Sequence, residues 1–232
     1  DCAVHCEKFM QWVIEDSFCT PVPDFSKVGA LVVKDVRPYE LMKIRLLNGS
    51  HSALSYPSYM MGHRMVHEAA TDSVVREFIR DCYMTEIEAT LPEVPGVDIQ
   101  AYEDDLISRF SNPYIADTIL RLAADGSKKI SNAILRPLEE GLASGLSMDH
   151  VIMALVLWNQ FYIYLDENGN HMPIDDPKCK ELIAVASDPI AFFRIAGLSE
   201  KVLSYGGFIS KVKTCLSVIG RKGIRRAIAE SL

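Results

Sequence analysis

One segment of the 232-residue chain carries side chains that could do chemistry together: Pro38-Tyr39-Glu40-Leu41-Met42-Lys43-Ile44-Arg45-Leu46-Leu47-Asn48-Gly49-Ser50-His51. Its apolar spacing reads as a helix. At about 100° per residue, with Lys43 as zero, Glu40 falls at about 60°, His51 at about 80° and Asn48 at about 140°. A carboxylate, an amine, an amide and an imidazole then share one side, while Met42 and Leu46 face the other. This set suits the interconversion of an alcohol and a ketone. A base must take the hydroxyl proton while hydride leaves the same carbon, and donors must hold the oxygen as it becomes a carbonyl. A lysine amine is such a base only when burial or a nearby cation brings its pKa well below about 10. Asn48 would donate to the reacting oxygen, His51 would bond a neighbouring hydroxyl, and Glu40 would relay the proton to solvent. Gly49 would let another backbone or a ligand approach closely. Spacing alone leaves a plainer reading open, in which Glu40 and Lys43 are a solvated i,i+3 pair worth about 0.2–0.5 kcal/mol.

The elements that must position this segment are nearly all helical. Phe9 to Phe18 reads as a strand or short helix, and Ala30 to Val33 as a strand. Asp35 and Pro38 then signal a helix start. The helical pattern runs from Tyr39 to about His67, and Pro57 should end or kink it near Ser55. Further helices are expected at Ser73 to Thr90, Ile99 to Phe110, Asn112 to Ala124, Asn132 to Ser144 and Met148 to Leu165. Four more follow at Lys178 to Ala186, Ala191 to Leu198, Glu200 to Tyr205 and Phe208 to Leu232. Asp149 or Ser147 should cap the helix holding the longest apolar run, Val151 to Trp158. Asn112 reads as a cap and Asp125-Gly126-Ser127 as a turn.

Composition narrows the classes. Hydrophobic residues make up 49% and charged residues 24%, as in ordinary globular proteins. The net charge of -7 argues against nucleic acid or an anionic membrane as partner. The longest apolar run is too short to span a bilayer. Six cysteines without a CxxC pair read as reduced thiols of a cytoplasmic protein. A metal or disulfide role for Cys2, Cys6 and Cys19 lacks matching spacing. His63 and His67 make at most half a metal site, and His171, Asp175 and Asp176 read as a polar turn. The cations Lys211, Lys213, Arg221, Lys222, Arg225 and Arg226 read as the solvated face of a terminal helix. Tyr56, Tyr59, Met60 and Met61 read as core. No glycine-rich phosphate loop occurs anywhere.

KIRLLNGSHSAL (Lys43 to Leu54) resembles the Lys-x-x-x-x-Asn-x-x-His signature of the polyol-specific long-chain dehydrogenases, the mannitol dehydrogenase family. QWVIEDSF (Gln11 to Phe18), VKDVRPYE (Val33 to Glu40), RFSNPYIADT (Arg109 to Thr118) and RLAADGSKK (Arg121 to Lys129) resemble family segments in the family's order. The resemblance implies that Lys43 is the acid/base, Asn48 one of two asparagine donors to the reactive oxygen, His51 a substrate ligand and Glu40 part of the proton path. It places Arg121 and Lys129 near the substrate's hydroxyls. It implies a mainly α domain with the 6-phosphogluconate dehydrogenase C-terminal-like fold over residues 35–232, and makes residues 1–34 the junction with an upstream cofactor domain. That Rossmann domain, binding NAD or NADP, has no counterpart in this chain. It would be joined in cis or supplied as a separate chain, and the first residue, Asp1, fits a fragment. The implied substrate is a polyol or a sugar acid, as in mannitol/fructose or mannonate/fructuronate interconversion, and no metal is required. A reading of another class, a non-catalytic helical binding module, is separated from this one by the sequence upstream of Asp1.

Overall fold

The two apolar runs near the start form strands, β1 (Val13–Glu15) and β2 (Leu31–Val33), paired in parallel with Val13 opposite Leu31. Trp12, Leu31 and Val32 leave much of this small ladder's apolar surface exposed. The computed structural model describes Glu7, residues 9–165 and residues 168–232. Cys2 and Cys6 lie outside the described residues, and Cys19 is exposed and free.

Beyond residue 35 the described chain is helical. Helix α1 (Arg37–Met42) has Pro38 in its first turn, where a missing N–H costs no intrahelical bond. It passes directly into a π-helical segment, Lys43–Asn48, and then into α2 (Gly49–Met60). In place of one long helix to His67, the chain turns at Gly62, whose φ of 99° suits glycine, and begins α3 (Val66–Thr71). Next come α4 (Ser73–Glu77), a second π segment (Phe78–Tyr83), α5 (Met84–Glu88) and α6 (Ile99–Phe110). Asn112 caps a single 3-10 turn, and the helix expected to follow is delayed to α7 (Ile119–Ala123). Asp125 makes the expected turn with a left-handed backbone, φ 56°. Helix α8 (Gly126–Ile130), a third π segment (Ser131–Leu135) and α9 (Arg136–Ala143) follow. The rest is α10 (Asp149–Ile163), α11 (Cys179–Val185), α12 (Pro189–Ala196), α13 (Glu200–Leu203), α14 (Gly206–Lys222) and α15 (Ile224–Ala229). Gly223, φ 77°, splits the last expected helix in two.

Helix α10 is the axis of the core. Val151 to Asn159 are buried on every side, with α2, α11, α12 and α14 packed around them. None of the described helices is long and apolar enough to cross a membrane. The expected cap is absent: Met148 holds the N-cap position of α10 without a side-chain bond. Glu86, on α5, does the work from across the fold. Its carboxylate accepts from the backbone N–H groups of His150 and Val151, at 3.0 Å each. Pro57 does not end α2 as expected either. The helix runs through it to Met60, because residues 52–58 are buried against α10 and α7, and packing outweighs one lost ladder bond.

The π segments have one meeting point. A Cβ built on Gly49 would lie 2.5 Å from the Tyr83 hydroxyl oxygen and 3.1 Å from the Ala133 carbonyl oxygen. Gly49 closes the first π segment, Tyr83 the second, and Ala133 sits inside the third. The glycine that a sequence reading assigns to close approach is therefore filled by protein.

Candidate active site

The widened helix changes the faces on which the candidate residues stand. The Gly49 N–H donates to the Ile44 carbonyl, five residues back. At the roughly 4.4 residues per turn of a helix closed i→i+5, Asn48 stands about 50° round the axis from Lys43 instead of about 140°. His51 follows after three α-helical residues, about 60° from Asn48. Amine, amide and imidazole are thus aligned more closely than α-helical spacing allows. The segment is held by Arg45, a buried guanidinium that donates to the Thr90 carbonyl at 2.8 Å and pairs with Glu140 at 2.7 Å.

His51 is the inner member. Its ring packs on Phe110 with centroids 4.8 Å apart. Burial pushes its pKa down to about 4, against the pull of Asp117, with Arg121, Lys129 and Arg109 lowering it further. At neutral pH the ring is uncharged and has one donor and one acceptor to offer. Arg121, on α7, pairs with Asp117 through two guanidinium nitrogens. Lys129, on α8, donates to the Leu122 carbonyl at 3.3 Å, and burial lowers its pKa. Both cations lie close enough for their charges to act on His51. A cleft of about 240 Å³ opens between His51, His67, Arg109, Asp117 and Arg121, floored by Leu47 and Phe110. Arg121 also walls a second hollow of about 490 Å³ with Tyr56, Phe161 and Tyr162.

Lys43 and Glu40 are arranged differently from the expectation. Both are exposed, and neither side chain has a hydrogen bond or ion pair among the described residues. The expected withdrawal of the amine from water does not occur within this chain, and the Glu40–Lys43 surface pair does not form. The reason is geometric: α1 and the π segment pack inward through Tyr39, Met42, Arg45 and Leu46, which leaves the opposite face bare.

Several contributors escaped a reading by spacing. Asp117 stands four residues before Arg121, a visible pairing signal. Glu7 donates no such signal, being 102 positions from Arg109, whose guanidinium it binds through both carboxylate oxygens at 2.9 Å. Phe9 covers the same guanidinium, its ring centre 4.0 Å away. His63 and His67 part company: His63 bonds Asp72 at 3.2 Å, while His67 faces the cleft. Asp176 accepts from the Ser127 and Lys178 backbone N–H groups, at 2.6 and 2.8 Å, which ties its loop to α8. The terminal cations Lys211, Lys222 and Arg225 pair with Asp149, Glu230 and Asp72.

Comparison with known proteins follows the same residues. Residues 35–195 match the family model described as the mannitol dehydrogenase C-terminal domain. The whole chain aligns with a mannitol dehydrogenase of Saccharomyces cerevisiae at 37% identity, covering 47% of that protein. A D-mannonate oxidoreductase of Escherichia coli is 34% identical over 98% of the chain and 48% of its own length. The structure of Pseudomonas fluorescens mannitol 2-dehydrogenase in ternary complex with NAD and D-mannitol superposes with a TM-score of 0.86 at 31% identity, over 97% of this chain and 47% of that one. The chain thus spans about half the length of the relatives it matches.

Proposed function

The chain belongs to the mannitol dehydrogenase family, through that family's C-terminal domain, and from this membership we propose that it supplies the acid/base and substrate-holding residues of an NAD(P)-dependent dehydrogenase of polyols or sugar acids. One observation supports the reading: His51 lines a cleft with Arg121, the charges of Arg121 and Lys129 both act on it, and it stands three residues after Asn48 on the helix that continues from Lys43.

In ketone reduction the Lys43 ammonium gives its proton to the oxygen as negative charge develops there. In alcohol oxidation the neutral amine takes that proton away. The Asn48 amide donates to the same oxygen and steadies it. His51, uncharged, bonds an adjacent hydroxyl, with Arg121 and Lys129 beyond it. Glu40, exposed one turn before Lys43, passes the proton to solvent. The nicotinamide cofactor, when bound, exchanges hydride with the reacting carbon. This chain has no glycine-rich phosphate loop, so the cofactor's phosphates would be held elsewhere in the longer protein.

The same reading makes residues 1–34 the junction with a Rossmann-type cofactor domain, in cis or on a separate chain, and residues 35–232 the catalytic domain. The bare face around Lys43 is then where that domain docks. Covering it would withdraw the amine from water, which favours the neutral form the oxidation needs. The free thiols of Cys82, Cys179 and Cys215 fit a reducing cytoplasm.

The test is Lys43→Ala in the full-length enzyme. Turnover of mannitol, mannonate and related substrates with NAD or NADP is expected to fall almost to nothing while cofactor binding, followed by fluorescence titration, is kept. Near-normal turnover would end the proposal.

A further inference from the structure

Both ring nitrogens of His150 face acceptors. Nδ1 lies 2.7 Å from a Glu86 carboxylate oxygen, and Nε2 lies 2.8 Å from the Ser231 carbonyl oxygen. A neutral imidazole has one N–H and one lone pair, and a peptide carbonyl has no proton to give. Glu86 also meets the ring as an acceptor, since each of its oxygens takes a backbone N–H from the start of α10. Both contacts exist together only when both nitrogens donate, which is the imidazolium. The hydrogen bond from Glu86 raises the His150 pKa in the same sense.

The charges around the ring are otherwise balanced. From α5 comes Glu86, and the second π segment contributes the uncharged ring of Phe78, its centre 6.3 Å away. Asp149, the neighbour on α10, pairs with Lys211 of α14. Glu230, after α15, pairs with Lys222. The remaining titratable group of the hollow is Cys215 on α14, whose buried thiol is pushed up to about 11 and stays protonated well above the histidine range.

The two bonds of the imidazolium differ in strength. The one to the carboxylate joins two charges, and the one to the carbonyl joins a charge to a dipole. A ring that loses one proton keeps the other for Glu86, and its Nε2 lone pair then opposes the Ser231 oxygen. Ser231 donates its own N–H and hydroxyl to the Ile228 carbonyl, inside the last turn of α15. Its carbonyl is thus what ties that turn to α10.

We infer that His150 is a pH-operated latch: its imidazolium pins the last turn of α15 to α5 and α10, and loss of one proton frees Ser231 while the bond to Glu86 is kept. The latch does not depend on the reaction proposed above.

The test is an NMR titration of the full-length protein, carrying 15N-histidine and 13C-carbonyl serine, from about pH 6 to about pH 9. At the acid end both His150 nitrogens are expected to carry protons. As the ring titrates above its ordinary value, the Ser231 carbonyl resonance should move with the same midpoint. Amide exchange in the last turn of α15 should rise by about tenfold beyond its intrinsic increase with pH, the scale of one hydrogen bond to a charged group. Glu86→Gln should carry the His150 and Ser231 midpoints down together. His150→Gln, which keeps an N–H donor at every pH, should abolish the Ser231 response. A neutral His150 tautomer at about pH 6, or a Ser231 carbonyl that ignores the ring's titration in the wild type, would overturn the inference whether or not either variant folds.

Discussion

The Tyr83 hydroxyl occupies the space where a side chain on Gly49 would begin, 2.5 Å from the position of its Cβ. The contact joins the ends of two π segments, and the first of these carries Lys43 and Asn48. Any residue but glycine at 49 must push Tyr83 or the widened turn aside.

Gly49→Ala is expected to destabilise the fold by about 1–3 kcal/mol through overpacking. For a chain of this size, each kcal/mol lowers Tm by roughly 2–4 °C. Tyr83→Phe removes a hydroxyl with no hydrogen-bond partner among the described residues. Alone it should change Tm little, and combined with Gly49→Ala it should recover part of the loss. Strictly additive effects in thermal unfolding would show that the contact is not the cause.

His51 gives stability a defined acid limb. Burial lowers its folded pKa from 6.5 to about 4, so the unfolded chain takes up this proton first as pH falls. The contribution is complete above about pH 6.5 and is lost on acidification toward about pH 4, by about 3 kcal/mol for a shift of this size. Urea unfolding of wild type and His51→Phe across this range should show the slope in the first and a flatter profile in the second. NMR titration of the ring with a midpoint above about 6 would contradict the assignment.

His150 behaves in the opposite sense. Its Nδ1 lies 2.7 Å from Glu86, and that hydrogen bond raises its pKa above the ordinary histidine value. A raised base stabilises the fold at low pH, and the gain is lost as pH rises through the folded pKa. Glu86→Gln should lower the His150 midpoint and weaken the cap on α10, at about 0.5–2 kcal/mol. An unchanged midpoint in the NMR titration would refute the link.

Asp117 holds the Arg121 guanidinium within the cleft. Asp117→Asn in the full-length enzyme frees that cation for a substrate carboxylate. The ratio of kcat/KM for mannonate over mannitol is expected to rise by about tenfold, the scale of one charge-assisted hydrogen bond. A ratio that stays constant would mean that Arg121 does not face the substrate's end groups.

The local sequence by itself determined the helical class, the lysine, asparagine and histidine motif and the family. Each depends on short-range spacing that packing does not rearrange: apolar periodicity, caps such as Asn112, and left-handed turns at Asp125. The tertiary structure decided what spacing cannot express. The π turn that narrows the arc between Lys43 and Asn48 uses residues that would serve equally in an α-helix, and its Arg45 reaches Thr90 and Glu140. The cap of α10 comes from Glu86, 64 positions before His150, and the partner of Arg109 from Glu7. Pro57 is carried inside α2 because burial against α7 and α10 outweighs the bond it cannot make. Contacts between residues far apart in the chain form only once the helices have packed, so no local pattern announces them.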